Sequence, residues 1–237
     1  YNVYATTDFT TSGSAGADMS GIAFWAFGPN GDIYMLDLCL RRQELEDQYS
    51  ELFRMNNYWR RRTRRAIEVG IEVDGQQRAH ISAIKSKMIL NNEWFTIGRQ
   101  KGSKPGSEGI LSRLEGGNKH WRFRMMLPLF QNRKIHFPEE LRDTPDMREL
   151  MEQIKYATYT GFGTKCDDGA DLISQLGMME TIAPLPDMYS DDDIEDEQDD
   201  FIEDEYGQRR SPKRFSDGVY KVKRKKDTSG NMYDLYS

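Results

Sequence analysis

Acidic residues at three separated places in the chain have the types and settings that divalent-cation chemistry requires. Asp8 ends a run of β-forming residues, Val3 to Thr7, and is followed by a loop rich in Thr, Ser and Gly. A carboxylate at the end of a central strand is a natural metal ligand, because the strand fixes its position and the loop leaves it open. Taken alone, Asp8 is also typical of a turn cap, which is the commoner role of Asp at a strand end.

The second acidic position lies in an alternating segment, Ala66 to Val73. Its apolar residues share one face of the predicted strand, whereas Glu68, Gly70 and Glu72 share the other. Two glutamates on one face of an otherwise buried strand are costly unless a cation compensates them. Either glutamate can therefore be a ligand at this stage.

The third acidic position is the start of the last predicted helix, which runs from Asp167 to about Glu180. Asp167, Asp168 and Asp171 crowd its first turn, and spacings of three and four residues put Asp171 on the same face as the other two. The alternative is a solvated helix N-terminus, where negative charge suits the helix dipole.

The elements that position these acids follow from the hydrophobic pattern. Strands are predicted at 3–8, 21–27, 32–40, 66–73, 93–99 and 134–137, and helices at about 43–60, 76–90, 119–131, 146–156 and 167–180. In this order the first and fourth strands can lie side by side in a mixed sheet, with the last helix packed across them. Asp8, Glu72 and Asp168 would then converge.

Converging carboxylates repel one another, and a protein keeps such a cluster mainly when divalent cations neutralise it. Two Mg²⁺ or Mn²⁺ ions would activate a water molecule and stabilise the leaving oxygen of a phosphodiester. The chain has no phosphate-binding loop, no His-Glu-x-x-His and no Gly-x-Ser-x-Gly. His80, His120 and His136 are isolated in the sequence, so a packing or surface role is predicted for each.

The charged residues are unevenly distributed along the chain. Residues 187–205 hold 12 acids and no base, residues 209–226 hold 9 bases and one acid, and residues 1–186 are balanced at 24 acids and 24 bases. We therefore predict one folded domain over 1–186 and a charged, disordered tail over 187–237. The basic run Arg60 to Arg65 can either hold phosphates or simply suit a helix C-terminus.

Cysteine and hydropathy patterns point to a reduced intracellular setting. Only Cys39 and Cys166 are present, too few for a disulfide framework, and neither has the spacing of a zinc ligand. No apolar run is long enough to span a membrane, and no secretory signal is seen. Because the sequence opens inside a strand-like run without Met, it is expected to be part of a longer protein.

Four segments in order resemble the nuclease domain of the large terminase subunit of tailed bacteriophages. Tyr4 to Asp8, with the later Gly16 to Ala23, looks like the family's first strand, its acid and the following Asp-x-x-Gly run. Val69 to Glu72, followed by Gly75, is similar to the strand that delivers the second acid. Lys119 to Phe137 looks like the family's Lys-x-x-Arg helix and short strand. Cys166 to Asp171 resembles the His-Asp-Asp-x-x-Asp-Ala segment, with Cys166 in place of His and Leu172 in place of Ala.

The resemblance implies a ribonuclease H-like α/β fold, a mixed central sheet flanked by helices. It also implies a Mg²⁺- or Mn²⁺-dependent endonuclease that cuts concatemeric double-stranded viral DNA during genome packaging. By this resemblance Asp8, Glu72 and Asp168 hold two metal ions and Asp171 assists. The expected DNA contacts are Lys119, Arg122, Arg124, Lys101 and Lys104.

The family's ATPase domain is absent from this sequence, and the expected partners are that domain, the portal and the small terminase subunit. The expected location is the host cytoplasm, at the viral procapsid. Two alternatives remain: a docking module of a packaging complex that has lost its chemistry, and another ribonuclease H-like nuclease such as a junction resolvase.

Overall fold

The computed structural model describes residues 1–11, 13–14, 18–73, 78–111, 119–157, 162–163 and 166–184, with four short stretches at 202–203, 209–210, 222–226 and 232–236. The contacts of the chain divide it into two units, Tyr1–Pro186 and Asp187–Ser237. Within the described residues, no helix is both long and apolar enough to cross a membrane.

The first unit is built on a six-stranded mixed sheet. Its elements in chain order are β1 (Asn2–Asp8), β2 (Ser20–Phe27), β3 (Ile33–Arg41), α1 (Leu45–Thr63), β4 (Ile67–Ile71), α2 (Arg78–Asn91), β5 (Thr96–Ile97), α3 (Lys119–Gln131), β6 (Ile135–His136), α4 (Pro145–Lys155) and α5 (Asp168–Met178). The strand order is β5-β4-β1-β2-β3-β6. The predicted elements are therefore present, with differences of a few residues at their ends.

β1, β2 and β3 form an antiparallel meander, whereas β4 pairs with β1 in parallel. A tight turn joins β2 to β3: Gly31 has a φ of 75°, a left-handed conformation that suits glycine, and the Gly28 amide donates to the Asp32 carbonyl at 2.8 Å. β1 and β4 thus lie side by side in the centre of the sheet, as the order of elements predicted.

Each face of the sheet carries its own apolar core. On one face, the predicted stripe of α1, which includes Tyr49, Leu52 and Phe53, packs with Ile84 of α2 against Val69 of β4. The opposite face is covered by α3, α4 and α5, whose buried side chains pack with alternate residues of β1, β2 and β3. The period-two alternation of each strand decides which of its side chains face α5.

The second unit contains two short antiparallel pairs in its described residues. β7 (Ile202–Glu203) pairs with β8 (Arg209–Arg210), and β9 (Val222–Lys226) pairs with β10 (Met232–Tyr236). The predicted disorder of 187–237 falls largely on residues outside those described. The division into a nuclease domain and a tail stays a prediction.

Candidate metal centre

Asp8 is fixed by the alternation of β1. Val3 and Ala5 belong to the core under α1, so Tyr4, Thr6 and Asp8 point to the face that α5 covers. Asp8 is 7% exposed although it ends the strand. Its carboxylate therefore lies at the edge of the sheet in a largely dry environment.

Glu72 is brought beside Asp8 by the parallel pairing of β1 and β4. Thr7 pairs with Ile71, so the next residues, Asp8 and Glu72, stand one step beyond at the same edge. Glu72 is 8% exposed. The backbone on both sides of it is held, because the Ile110 amide donates to the Ile71 carbonyl at 2.8 Å and the Val73 amide donates to the Ile110 carbonyl at 2.9 Å.

Asp171 reaches the same place from α5, which crosses the sheet close to its backbone. A Cβ at Gly21 would lie 2.7 Å from the Leu172 side chain, so glycine is needed for this approach. One turn further along, the Gln175 side-chain amide donates to the Thr7 carbonyl at 3.0 Å. These contacts set the position of the helix over β1 and β2 and bury Asp171 to 2% exposure.

The three carboxylates form one cluster. Asp8, Glu72 and Asp171 each offer an oxygen, and these atoms all lie within 4.8 Å of one another; this is the candidate cation-binding group in the described part of the chain. Oxygen ligands that are hard and negatively charged suit Mg²⁺ and Mn²⁺.

One buried cation already lies against this cluster. Arg122 Nη2 contacts Asp171 Oδ1 at 2.8 Å and Oδ2 at 3.1 Å, and the Ser174 hydroxyl donates to Asp171 Oδ1 at 2.9 Å. Three buried carboxylates this close together repel one another when ionised, and a divalent cation would relieve that repulsion. The residues present therefore fit a metal ion.

The structure places the acids of the last helix differently with respect to the cluster, and which of them binds a metal ion stays a prediction. Asp168, predicted to be the main ligand, is 4% exposed and its Oδ2 accepts a hydrogen bond from the Met19 amide at 2.9 Å. It lies one turn from Asp171 but outside the group of three. Asp167 is the N-cap residue of α5 and is half-buried. Asp171, predicted to assist, is the member that the fold groups with Asp8 and Glu72.

Glu68 lies apart from the cluster that contains Glu72. Four residues along the strand place it roughly 13 Å away, and it lies near Arg99 and Glu180, which pair with each other at 2.6 Å. Burial raises the pKa of Glu68 above its usual value, and the nearby Arg99 only partly opposes this shift.

The predicted DNA contacts are placed differently from one another. Arg122 has 2% of its side chain exposed and contacts Asp171, and its contact with DNA stays a prediction. Arg124 is half-buried, whereas Lys101 and Lys104 are exposed in the loop that follows Gln100. The side chain of Lys119 lies outside the described residues.

The lysine loop lies at the same edge of the sheet as the cluster. The Lys101 amide donates to the Met178 carbonyl at 2.7 Å, and the returning chain at Ile110 pairs beside Glu72. Lys101 and Lys104 are exposed on the loop between these two points of attachment.

Sequence reasoning missed Ser174 and Gln175, which orient α5 and Asp171. The signal for Ser174 is its position three residues after Asp171, the spacing of a helical contact.

In the part of the chain that the structure describes, the candidate metal-binding group consists of Asp8, Glu72 and Asp171 and includes none of the three histidines. His80 is buried and its Nδ1 lies 2.6 Å from the Tyr49 hydroxyl, and burial lowers the pKa of His80. His136 stacks on Tyr34 with 4.7 Å between ring centroids, and His120 packs edge-on against Phe162.

Two solved structures of the human cytomegalovirus terminase nuclease domain resemble the chain. The manganese-soaked form has a TM-score of 0.52 at 14% identity, and the match covers 73% of this chain and 80% of that one. The manganese-soaked, inhibitor-bound form has a TM-score of 0.50 at 13% identity, covering 76% and 87%. No protein-family model matches the chain, and no curated protein is detectably similar in sequence. The chain has the fold of a terminase nuclease domain, and the predicted ribonuclease H-like fold class is confirmed.

Proposed function

We propose that this chain is a metal-dependent endonuclease that hydrolyses phosphodiester bonds in double-stranded viral DNA during genome packaging. The observation that carries the proposal is the convergence of Asp8, Glu72 and Asp171 from three elements into one buried cluster. A protein that had kept only a docking role would have no use for this cluster, which is costly to bury without a cation.

In this proposal the carboxylates hold two divalent ions, Mg²⁺ or Mn²⁺. Bound there, the ions supply activation of a water molecule and neutralisation of charge at the scissile phosphate. Asp8 and Glu72 are held on neighbouring strands of the sheet, and Asp171 on a helix locked to that sheet. Asp168, one helical turn away, is the candidate for an additional ligand.

DNA would be held through its backbone. Lys101 and Lys104 are exposed on a loop at the carboxylate edge, and within the described residues neither pairs with an acid. Lysines in this setting contact phosphates without distinguishing bases. In a packaging complex the same chain would work with an ATPase domain, a portal and a small terminase subunit, in the host cytoplasm at the procapsid.

Cleavage of a supercoiled plasmid in Mn²⁺ tests the proposal. Asp8→Asn, Glu72→Gln and Asp171→Asn should each abolish nicking and linearisation, because each removes a negative ligand while keeping the side-chain shape. Glu68→Gln is the matched control: it changes the same residue type on the same face of the same strand, away from the cluster, and should leave cleavage intact. Full cleavage by the three cluster variants would refute the assignment.

Two further measurements separate the alternatives. A docking module should show no carboxylate-dependent Mn²⁺ binding in calorimetry, whereas the proposed nuclease should lose its binding heat in Asp171→Asn. A junction resolvase should cut a four-way junction in strong preference to a linear duplex of the same sequence, whereas the proposed enzyme should cut both at comparable rates.

A further inference from the structure

Arg122 is an unusual residue for a protein interior. It lies in the first turn of α3, and its side chain is 2% exposed and next to the 1% exposed side chain of Asp171. Its Nη2 atom bridges both oxygens of that carboxylate, at 2.8 and 3.1 Å. The contact joins the helix that carries Arg122 to the helix that carries a cluster acid.

The rest of the Arg122 head group is poorly satisfied. Among the residues that the structure describes, its Nε has no hydrogen-bond partner, and Nη1 lies 4.0 Å from the Met178 sulfur, a weak acceptor. A buried guanidinium with so few partners is costly unless a nearby negative charge compensates it. That charge is supplied by Asp171, with Asp8 and Glu72 behind it.

We infer that Arg122 is a positioning residue that serves as a built-in counter-cation for the carboxylate cluster. It neutralises one of the three acids and, together with Ser174, holds Asp171 turned toward Asp8 and Glu72, so that the cluster stays assembled before any metal ion arrives. The inference rests on the proposed function in one respect, the binding of divalent ions by the same acids.

A purely structural role makes a different prediction. If Arg122 only filled space between α3 and α5, its effect on stability would be independent of the charge on Asp171. A counter-cation instead acts through that charge, so removing the charge must remove most of the effect.

A double-mutant cycle on the full 237-residue chain in EDTA distinguishes the two roles. Arg122→Met keeps the apolar stem and should lower Tm by about 10 °C, since it removes the buried cation that contacts Asp171. Asp171→Asn should also lower Tm, because it leaves Arg122 buried without a full negative partner. The double variant should melt closer to wild type than either single variant. Additive losses would overturn the inference.

Two controls keep the test decisive. Arg122→Lys retains the positive charge but lacks the planar guanidinium group. It should therefore melt above Arg122→Met, which a packing role does not require. If Arg122→Met fails to fold, the same cycle is run with Arg122→Gln.

Mn²⁺ provides a second measure. Saturating Mn²⁺ should raise the Tm of Arg122→Met more than that of wild type, because the ion takes over the missing neutralisation. An equal or smaller rise would count against the inference. Absence of any Mn²⁺ effect in wild type would refute the proposed metal function, whereas the cycle in EDTA still decides the role of Arg122.

Discussion

Replacing Asp8 with asparagine should make the metal-free protein more stable while abolishing its activity. The carboxylate oxygens of Asp8, Glu72 and Asp171 lie within 4.8 Å of one another, and all three residues are more than nine-tenths buried. At an effective dielectric constant of about 20, two unit charges at that distance repel by roughly 3.5 kcal/mol. Asp8 takes part in two such pairs.

The measured gain in stability should be smaller than the sum of the two pairwise repulsions. A proton taken up by the cluster limits the repulsion, and Arg122 already offsets the charge of Asp171. We expect about 2 kcal/mol to remain, which corresponds to a rise in Tm of about 4–8 °C for a domain of this size. The assay is thermal unfolding in EDTA, followed by circular dichroism.

Addition of Mn²⁺ should reverse the order, because wild type gains binding free energy that Asp8→Asn loses. Asp143→Asn is the control. Asp143 has 88% of its side chain exposed, unlike the buried cluster acids, so its replacement should change Tm little in EDTA or in Mn²⁺. An Asp8→Asn protein that is less stable than wild type in EDTA would refute the idea that the acids repel one another.

Three further outcomes are expected. Asp168→Asn should reduce Mn²⁺-dependent cleavage by about 10–100-fold, as for a residue that supports ligands, whereas Asp171→Asn should reduce it further; the reverse order in initial rates would restore Asp168 as the main ligand. Lys101→Ala with Lys104→Ala should weaken DNA binding and lower the slope of log K against log salt by about 2; an unchanged slope in fluorescence titrations would exclude these contacts. Glu68→Gln should stabilise the protein at pH 7 and not below about pH 4. The raised pKa of Glu68 in the folded state makes its ionised form destabilising, and this penalty disappears once Glu68 is protonated in both the folded and the unfolded protein. Urea unfolding at the two pH values should detect a gain in stability only at pH 7.

The sheet and its acids were predictable because they depend on local patterns. Alternation in Ile67 to Ile71 separates the apolar face from the face of Glu72, and the order of elements makes β1 and β4 neighbours. Those two facts alone bring Asp8 and Glu72 together at one edge.

The choice between Asp168 and Asp171 was not predictable in the same way. Both lie on the face of α5 that meets the sheet, so helix periodicity cannot separate them. The position of α5 along its own axis decides which of the two lies beside Asp8 and Glu72. That position is set by tertiary contacts such as Leu172 against Gly21 and Gln175 to the Thr7 carbonyl. No local pattern in the sequence indicates the position of the helix along its axis.

The burial of Arg122 was missed for a related reason. Charge alone suggested a surface contact with phosphate, but Arg122 shares a helix face with Met126, four residues on, and stands beside Phe123, all of them buried. Hydrophobic periodicity gave little signal, because α3 also carries the exposed apolar residues Trp121 and Met125. Its partner could be found only from the fold, since Asp171 is 49 residues away.

Anomalous diffraction from crystals soaked with Mn²⁺ is the most direct test of whether Asp8, Glu72 and Asp171 hold a metal ion. We expect at least one manganese peak within coordination distance of carboxylate oxygens of these three residues, and no such peak in Asp171→Asn crystals. A wild-type map with no peak at these three residues, or with manganese bound only elsewhere, would contradict it.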